Sequence, residues 1–370
     1  MAPSTKLGNL LHLEPLYLSE LPNHPSFETL PASATTPKPV RPDVTTFLIS
    51  ALNEASAFLN DTPQSFKRTK VKHSPPSTGK VHLFSREVRA AELAQIPWED
   101  SHVRRHRPHD LNNAESTKAA AGESWFARVS NHANRGEPGT ADWEEFENGL
   151  LVDHSKHEMM YTPDVYDAFK VIEWDVPEDE EAIGEEPGEG SALSNAGYAQ
   201  VSMNIYEMCH SLPTPLTNRI FTNLVISARR TTTPPSFLSL QIPVRLPRSF
   251  TPAFYSSLRN LTEGSTAQKR KKTITGIYTA VESVRLLPES SSNQNGGGRG
   301  DGVDPNGWSG EPNIEWVMAT ASDARGWLPM GLQKMGVPGA VAKDVGLFMR
   351  WVEHRRNSKE PMENGGGGSP

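Results

Sequence analysis

Residues 314–352 constrain the fold of this chain most. Ile314, Trp316, Met318 and Thr320 alternate with Glu315, Val317, Ala319 and Ala321, the period of two that a half-buried strand requires. Ser322, Asp323, Ala324, Arg325 and Gly326 then read as a turn, with Gly326 able to take a positive φ. Gly336 and Pro338 punctuate the approach to a helix and put Pro338 in its first turn. Val341, Val345, Phe348 and Val352 recur at spacings of four, three and four, which makes one apolar stripe. Lys343, Asp344, Arg350 and Glu353 fall largely off it. Burying four such side chains is worth roughly 1.5–3 kcal/mol each, and a lone helix of this length is marginal in water. The helix must therefore lie on something.

The rest of the chain has to supply that partner from a lean composition. Only 36% of the 370 residues are hydrophobic, against about 45–50% apolar (glycine included) for an ordinary globular protein. One core with long polar segments around it satisfies both numbers. Residues 1–42 form a Pro/Ser/Thr-rich arm and linker, with leucines from Leu7 to Leu18 that can dock as a short helix or arm. A domain is expected over 43–356, interrupted by an acidic insertion at about 177–196 and a Gly/Asn-rich one at about 288–312. By composition both insertions, and the tail 357–370, are disordered and dispensable for folding. The net charge of -7 argues against general nucleic-acid binding. A single cysteine, Cys209, excludes an internal disulfide and suits a reducing compartment. No apolar run approaches the roughly 18–20 residues of a membrane span, and the first residues lack a signal peptide's apolar core. The expectation is an intracellular, cytoplasmic protein.

Within the domain, Asp43 is placed to cap a helix whose apolar face is Phe47, Leu48, Ala51, Leu52, Ala55, Phe58 and Leu59. Short strands are expected over Phe66–Val71, Lys80–Val88, Ser124–Asn131 and Phe169–Val176, with a helical stripe of Trp143, Phe146 and Leu150 between the last two. Three more follow, marked by Val201, Met203, Ile205, Glu207 and Cys209, by Ile220, Thr222, Leu224, Ile226 and Ala228, and by Leu238, Leu240, Ile242 and Val244. Thr273–Leu287 gives a fourth. One of its faces, with Thr273, Thr275, Thr279, Ser283 and Arg285, suits water. The other, with Ile274, Gly276, Tyr278, Ala280, Glu282 and Val284, has small residues, one phenol and one acid, which leaves room for a ligand.

Glu207 and Glu282 are the acids that phase onto otherwise apolar faces, so each must pair, stay protonated or meet a ligand. His154, His157 and Glu158 lack the His-Glu-x-x-His spacing of a zinc site, and no metal is expected there. Cys209 and His210 are adjacent on a strand and point to opposite faces, which spoils a nucleophilic dyad. The basic run His102–His109 reads as a solvated loop or an anionic-headgroup contact. No phosphate loop, dinucleotide fingerprint or nucleophile elbow is present, and neither cofactor nor catalytic residues are expected.

Trp316 to Gly326, then Leu328 and Pro329, then Val341 to Trp351, together resemble the end of a START domain, the steroidogenic-acute-regulatory-related lipid-transfer superfamily, and more closely a fungal branch of it that is a domain of unknown function. The resemblance spans roughly residues 43–355. Gly331 departs from it, where the pattern more often has an aromatic. It implies an α+β helix-grip fold (START-like, Bet v 1-like), a curved antiparallel sheet wrapped around a long C-terminal helix. It also implies a tunnel between sheet and helix, walled by Trp316, Met318, Val345 and Phe348 together with Tyr278, Glu282 and Glu207. The implied function is binding, and transfer between membranes, of a lipid or sterol-like small molecule, with transient membrane contact. Two alternatives stay open: a cyclase- or aromatase-type enzyme, and an interaction scaffold with a filled core.

Overall fold

The structure is a computed structural model and describes residues 8–29, 40–96, 122–176, 191–287, 313–325 and 330–358. The run His102–His109, the stretches Glu178–Glu189 and Ser290–Pro312, Gly326, Leu328, Pro329, and most of the linker and tail lie outside the described residues.

Among the described residues eleven strands form one open sheet. Nine of them are β2 (Lys67–His73), β3 (Lys80–Val88), β4 (Glu123–Ala133), β5 (Val165–Glu173), β6 (Tyr198–His210), β7 (Arg219–Arg230), β8 (Ser236–Arg245), β10 (Ile277–Leu287) and β11 (Asn313–Asp323). They run in the order β2-β3-β4-β11-β10-β8-β7-β6-β5, antiparallel throughout. Two short strands, β1 (Leu16–Tyr17) and β9 (Ile274–Thr275), pair parallel to β8 and β7. The helices are α1 (Val44–Ser65), α2 (Ala90–Leu93), α3 (Trp143–Phe146), α4 (His154–Tyr161), α5 (Ala192–Asn195), α6 (Asn260–Glu263) and α7 (Met330–Ser358). The curved sheet gripping α7 is the helix grip.

Alternation along the strands divides the core into two layers. Ala127, Ala319, Val281, Leu240, Ile226 and Met203 point to the convex face and pack with Leu48, Ala51, Leu52 and Ala55 of α1. Asp43 caps α1 by accepting from Thr46 N at 2.9 Å. The N-terminal leucines dock in this same layer: Leu11, Leu16, Leu18 and Leu21 are buried, and Glu54 of α1 accepts from the backbone N–H groups of Asn9, Leu10 and Leu11. On the concave face, Leu83, Phe237, Val284, Ile314 and Trp316 pack with Phe146 of α3 and with Val341, Val345, Phe348 and Val352 of α7. The apolar stripe of the helix is thus buried as its spacing requires.

Two expectations change, and one glycine is explained. The C-terminal helix starts at Met330, so Pro338 stands inside it and removes a backbone donor there instead of opening its first turn. The face of β10 that was expected to meet water lies under α1: Thr279 is fully buried and donates to Gln241 O at 3.1 Å. Gly346 sits where α7 crosses the turn after β2. A Cβ there would stand 2.6 Å from Ser74 O and from Pro75 O, so only glycine allows this approach.

Candidate functional site

The candidate site lies on the concave face, where a row of side chains crosses four strands. Register sets Arg128 of β4 opposite Met318 of β11, Met318 opposite Glu282 of β10, and Glu282 opposite Ser239 of β8. Arg128 is 1% exposed and Glu282 9%. Arg128 Nη2 donates to Glu282 Oε1 at 2.9 Å, and Trp316 Nε1 donates to the same oxygen at 2.7 Å. The guanidinium carbon lies 3.9 Å from the centre of the Trp316 ring. Arg128 Nε and Nη1 are buried and have no hydrogen-bond partner among the described residues. Such vacancy is uncommon for a buried cation, because each unmet N–H keeps its desolvation penalty.

A second row continues the polar lining. Tyr278 Oη donates to Gln241 Oε1, Gln241 Nε2 donates to His154 Nε2 at 3.1 Å, and His154 Nδ1 donates to Leu150 O at 2.9 Å. This chain of bonds has His154 donating from Nδ1 and accepting at Nε2. Glu158, one turn along α4, brings Oε2 to 4.0 Å from His154 Nε2, and that oxygen has no hydrogen-bond partner among the described residues. Asp344 enters from α7.

These groups surround a space of about 40 Å³, lined by Arg128, His154, Glu158, Tyr161, Thr162, Ser239, Gln241, Ala280, Glu282, Met318 and Asp344. That holds roughly three water molecules. Ligand pockets generally measure roughly 300–1,000 Å³, so this space is no lipid tunnel as it stands. Nine of its eleven lining residues carry polar side chains. Three carboxyls face one guanidinium already engaged by Glu282. Burial accordingly pushes the Asp344 carboxyl up to about 7, against a partial offset from Arg128, with Glu158 and Glu282 adding to the rise. Burial also raises Glu158, and holds the phenols of Tyr161 and Tyr278 well above their ordinary value.

The residues singled out in the sequence separate into three groups. Tyr278, Glu282, Trp316 and Met318 converge on the polar row. Val345 and Phe348 sit beside it in the packed layer under α7, where the Phe348 ring lies 5.2 Å from those of Trp316 and Phe146. Glu207 is on the convex face. It accepts from the backbone N–H groups of Phe254, Tyr255 and Ser256 at 2.7–2.8 Å, which satisfies a buried carboxylate without a cation. Cys209 shares that face, buried, its thiol pushed far up by burial, while His210 points to the other face and is lowered to about 4 by burial. His157 packs on Trp351, with ring centres 5.2 Å apart, and no metal-binding group of three occurs among the described residues. Arg128, Gln241 and Asp344 were not read as site residues. The only signal available was an arginine and a glutamine in phase with otherwise apolar strand faces.

Comparison with known proteins adds the family. No curated protein matches the chain. Among solved structures it is similar to human STARD10, at 9% identity over 82% of each chain with a TM-score of 0.41. It is similar to human StAR-related lipid transfer protein 5, at 10% identity over 84% of this chain and 98% of that one with a TM-score of 0.42. A STAR-related lipid transfer protein fragment from Xanthomonas axonopodis gives 10% identity, coverage of 79% and 99%, and a TM-score of 0.34. Likeness at this level assigns no ligand. A family model described as a protein of unknown function (DUF3074) matches residues 125–352, from the start of the Arg128 strand to the end of the apolar stripe of α7, and the chain belongs to that family.

Proposed function

We propose that the chain binds a small amphipathic molecule, a lipid or sterol-like compound, whose polar end lies among Arg128, Glu282, Gln241 and Asp344. The observation that carries this reading is Arg128: a buried cation lining this space, with its Nε and Nη1 unpartnered among the described residues. A hydroxyl or carbonyl oxygen of a ligand meets that need, and a protonated Asp344 donates to it in turn. The apolar remainder needs more room than about 40 Å³, so α7 has to shift to admit it. Its first part is the mobile candidate, since Gly336 and Ala340 are exposed and Pro338 interrupts the bonding of the helix. Movement of the bound molecule between membranes is the further step this reading allows.

Native mass spectrometry of the chain purified from its own cells tests the reading. The expected result is a small-molecule adduct that is lost in Ala280→Phe, which fills the space. A bare mass for the wild-type chain, or an adduct that Ala280→Phe retains, contradicts it. A second reading, acid–base catalysis, is favoured by Asp344, a carboxyl with a pKa of about 7 facing the space. Turnover of a trial polyketide that is lost in Asp344→Asn supports that reading over simple binding.

A further inference from the structure

The chain carries net charge -7, yet residues 62–86 contain six Lys/Arg and no Asp or Glu. Most of these cations lie on β2, the outermost strand of the sheet on this side. Lys67, Arg68 and Lys70 are exposed, Lys72 is half-buried, and Lys80 is exposed at the start of β3. Among the described residues none of these five forms a salt bridge, and Lys67, Lys70 and Lys72 share one face of β2, opposite Ser85, Leu83 and Val81 of β3.

Charged edge strands protect a sheet from pairing with another. Here a register shift between Arg68 and Lys70 already breaks the ladder, so this concentration of positive charge exceeds what protection needs. The same break disfavours strand addition by a second copy and leaves contact through side chains. The strand also borders the cover of the cavity. The Ser74 hydroxyl, just past β2, accepts from Gly346 N at 2.9 Å and donates to Lys343 O at 3.2 Å, both on α7.

We propose that the β2 edge is a docking surface for an anionic lipid bilayer. The heads of Lys67, Lys70 and Lys72, on one face of the strand, approach the headgroups, each contributing to binding as a surface cation does. The surface is separate from the cavity and needs no ligand in it. A chain that carries no adduct but binds vesicles leaves this proposal standing, and the reverse outcome leaves the cavity reading standing.

The test is co-sedimentation of the full chain with vesicles of phosphatidylcholine alone, or with a third phosphatidylserine. Binding is expected only with phosphatidylserine, and raising salt through the physiological range should weaken it. Lys67→Gln, Lys70→Gln and Lys72→Gln combined should lower affinity by about fivefold per lysine, with an unchanged circular-dichroism melt. Salt dependence of the wild-type chain gives a readout independent of how the variant folds. Equal binding to both vesicle types, no vesicle binding, an unchanged folded variant, or binding of RNA or polyglutamate in place of vesicles overturns the proposal.

Discussion

Arg128 Nη2 donates to Glu282 Oε1 at 2.9 Å, and the two residues come from strands separated in the sheet by β11 and in the chain by 154 positions. Desolvation makes this pair a poor source of net stability and a costly one to break. Glu282→Gln keeps the shape and an acceptor for Trp316 Nε1 but leaves the buried guanidinium without a counter-charge. The expected loss is about 3–5 kcal/mol in urea unfolding. A loss under about 1 kcal/mol, of the size seen for exposed pairs, would show that the pair is solvated.

Asp344 sets a pH dependence whose sign follows from linkage. Its carboxyl rises from an ordinary 3.8 to about 7 in the folded chain, mainly through burial. Between those values the folded chain holds a proton that the unfolded chain releases. This group therefore makes stability fall as pH rises from about 4 to about 7, and Glu158, also raised, acts in the same direction. Denaturation of the wild-type chain and Asp344→Asn at pH values across that window should show a shallower fall in the variant. Parallel profiles would remove Asp344 from the desolvated cluster.

Gly346→Ala gains helix propensity of about 1 kcal/mol, yet the new methyl meets two backbone carbonyls at 2.6 Å. The steric term wins, because backbone cannot swing aside as a side-chain tip does. The variant is expected to be less stable by about 1–3 kcal/mol. A raised melting temperature would mean that α7 does not rest on the Ser74–Pro75 turn.

Phe348→Ala should cost about 3–5 kcal/mol, since the ring is fully buried between Phe146, Trp316, Tyr161 and Trp351. A much smaller loss, accompanied by greater ligand uptake, would place Phe348 on a void.

The elements of this fold were largely legible because each carries its own periodicity. The strand from Ile314 and the stripe from Val341 to Val352 could be read within forty residues, and Asp43 announced α1. The extent of α7 was less clear, since Gly336 and Pro338 mark an ordinary helix start and here stand inside a longer helix held by the sheet. The site was legible only in halves. Phase placed Glu282 and Tyr278 on one face, but the partner of Glu282 depends on strand order, and nothing local tells β10 that β11 and then β4 lie beside it. Glu207 shows the same limit. Its need for partners was clear, and three backbone amides from a distant turn supply them.

Hydrogen exchange along α7 tests most directly whether the space beneath it opens. The second half of the helix is clamped: Arg356 pairs with Glu145 and donates to Thr140 O at 2.8 Å. Exchange over residues 337–351 should be faster than in β10 around Tyr278, most of all before Gly346, because opening a cover needs less free energy than unfolding the sheet. Stripping the chain with organic solvent and refolding it should quicken exchange in this segment, and the chain as purified should be slower. Equal protection of α7 and β10, unchanged by stripping, would contradict an opening cover and leave a filled scaffold.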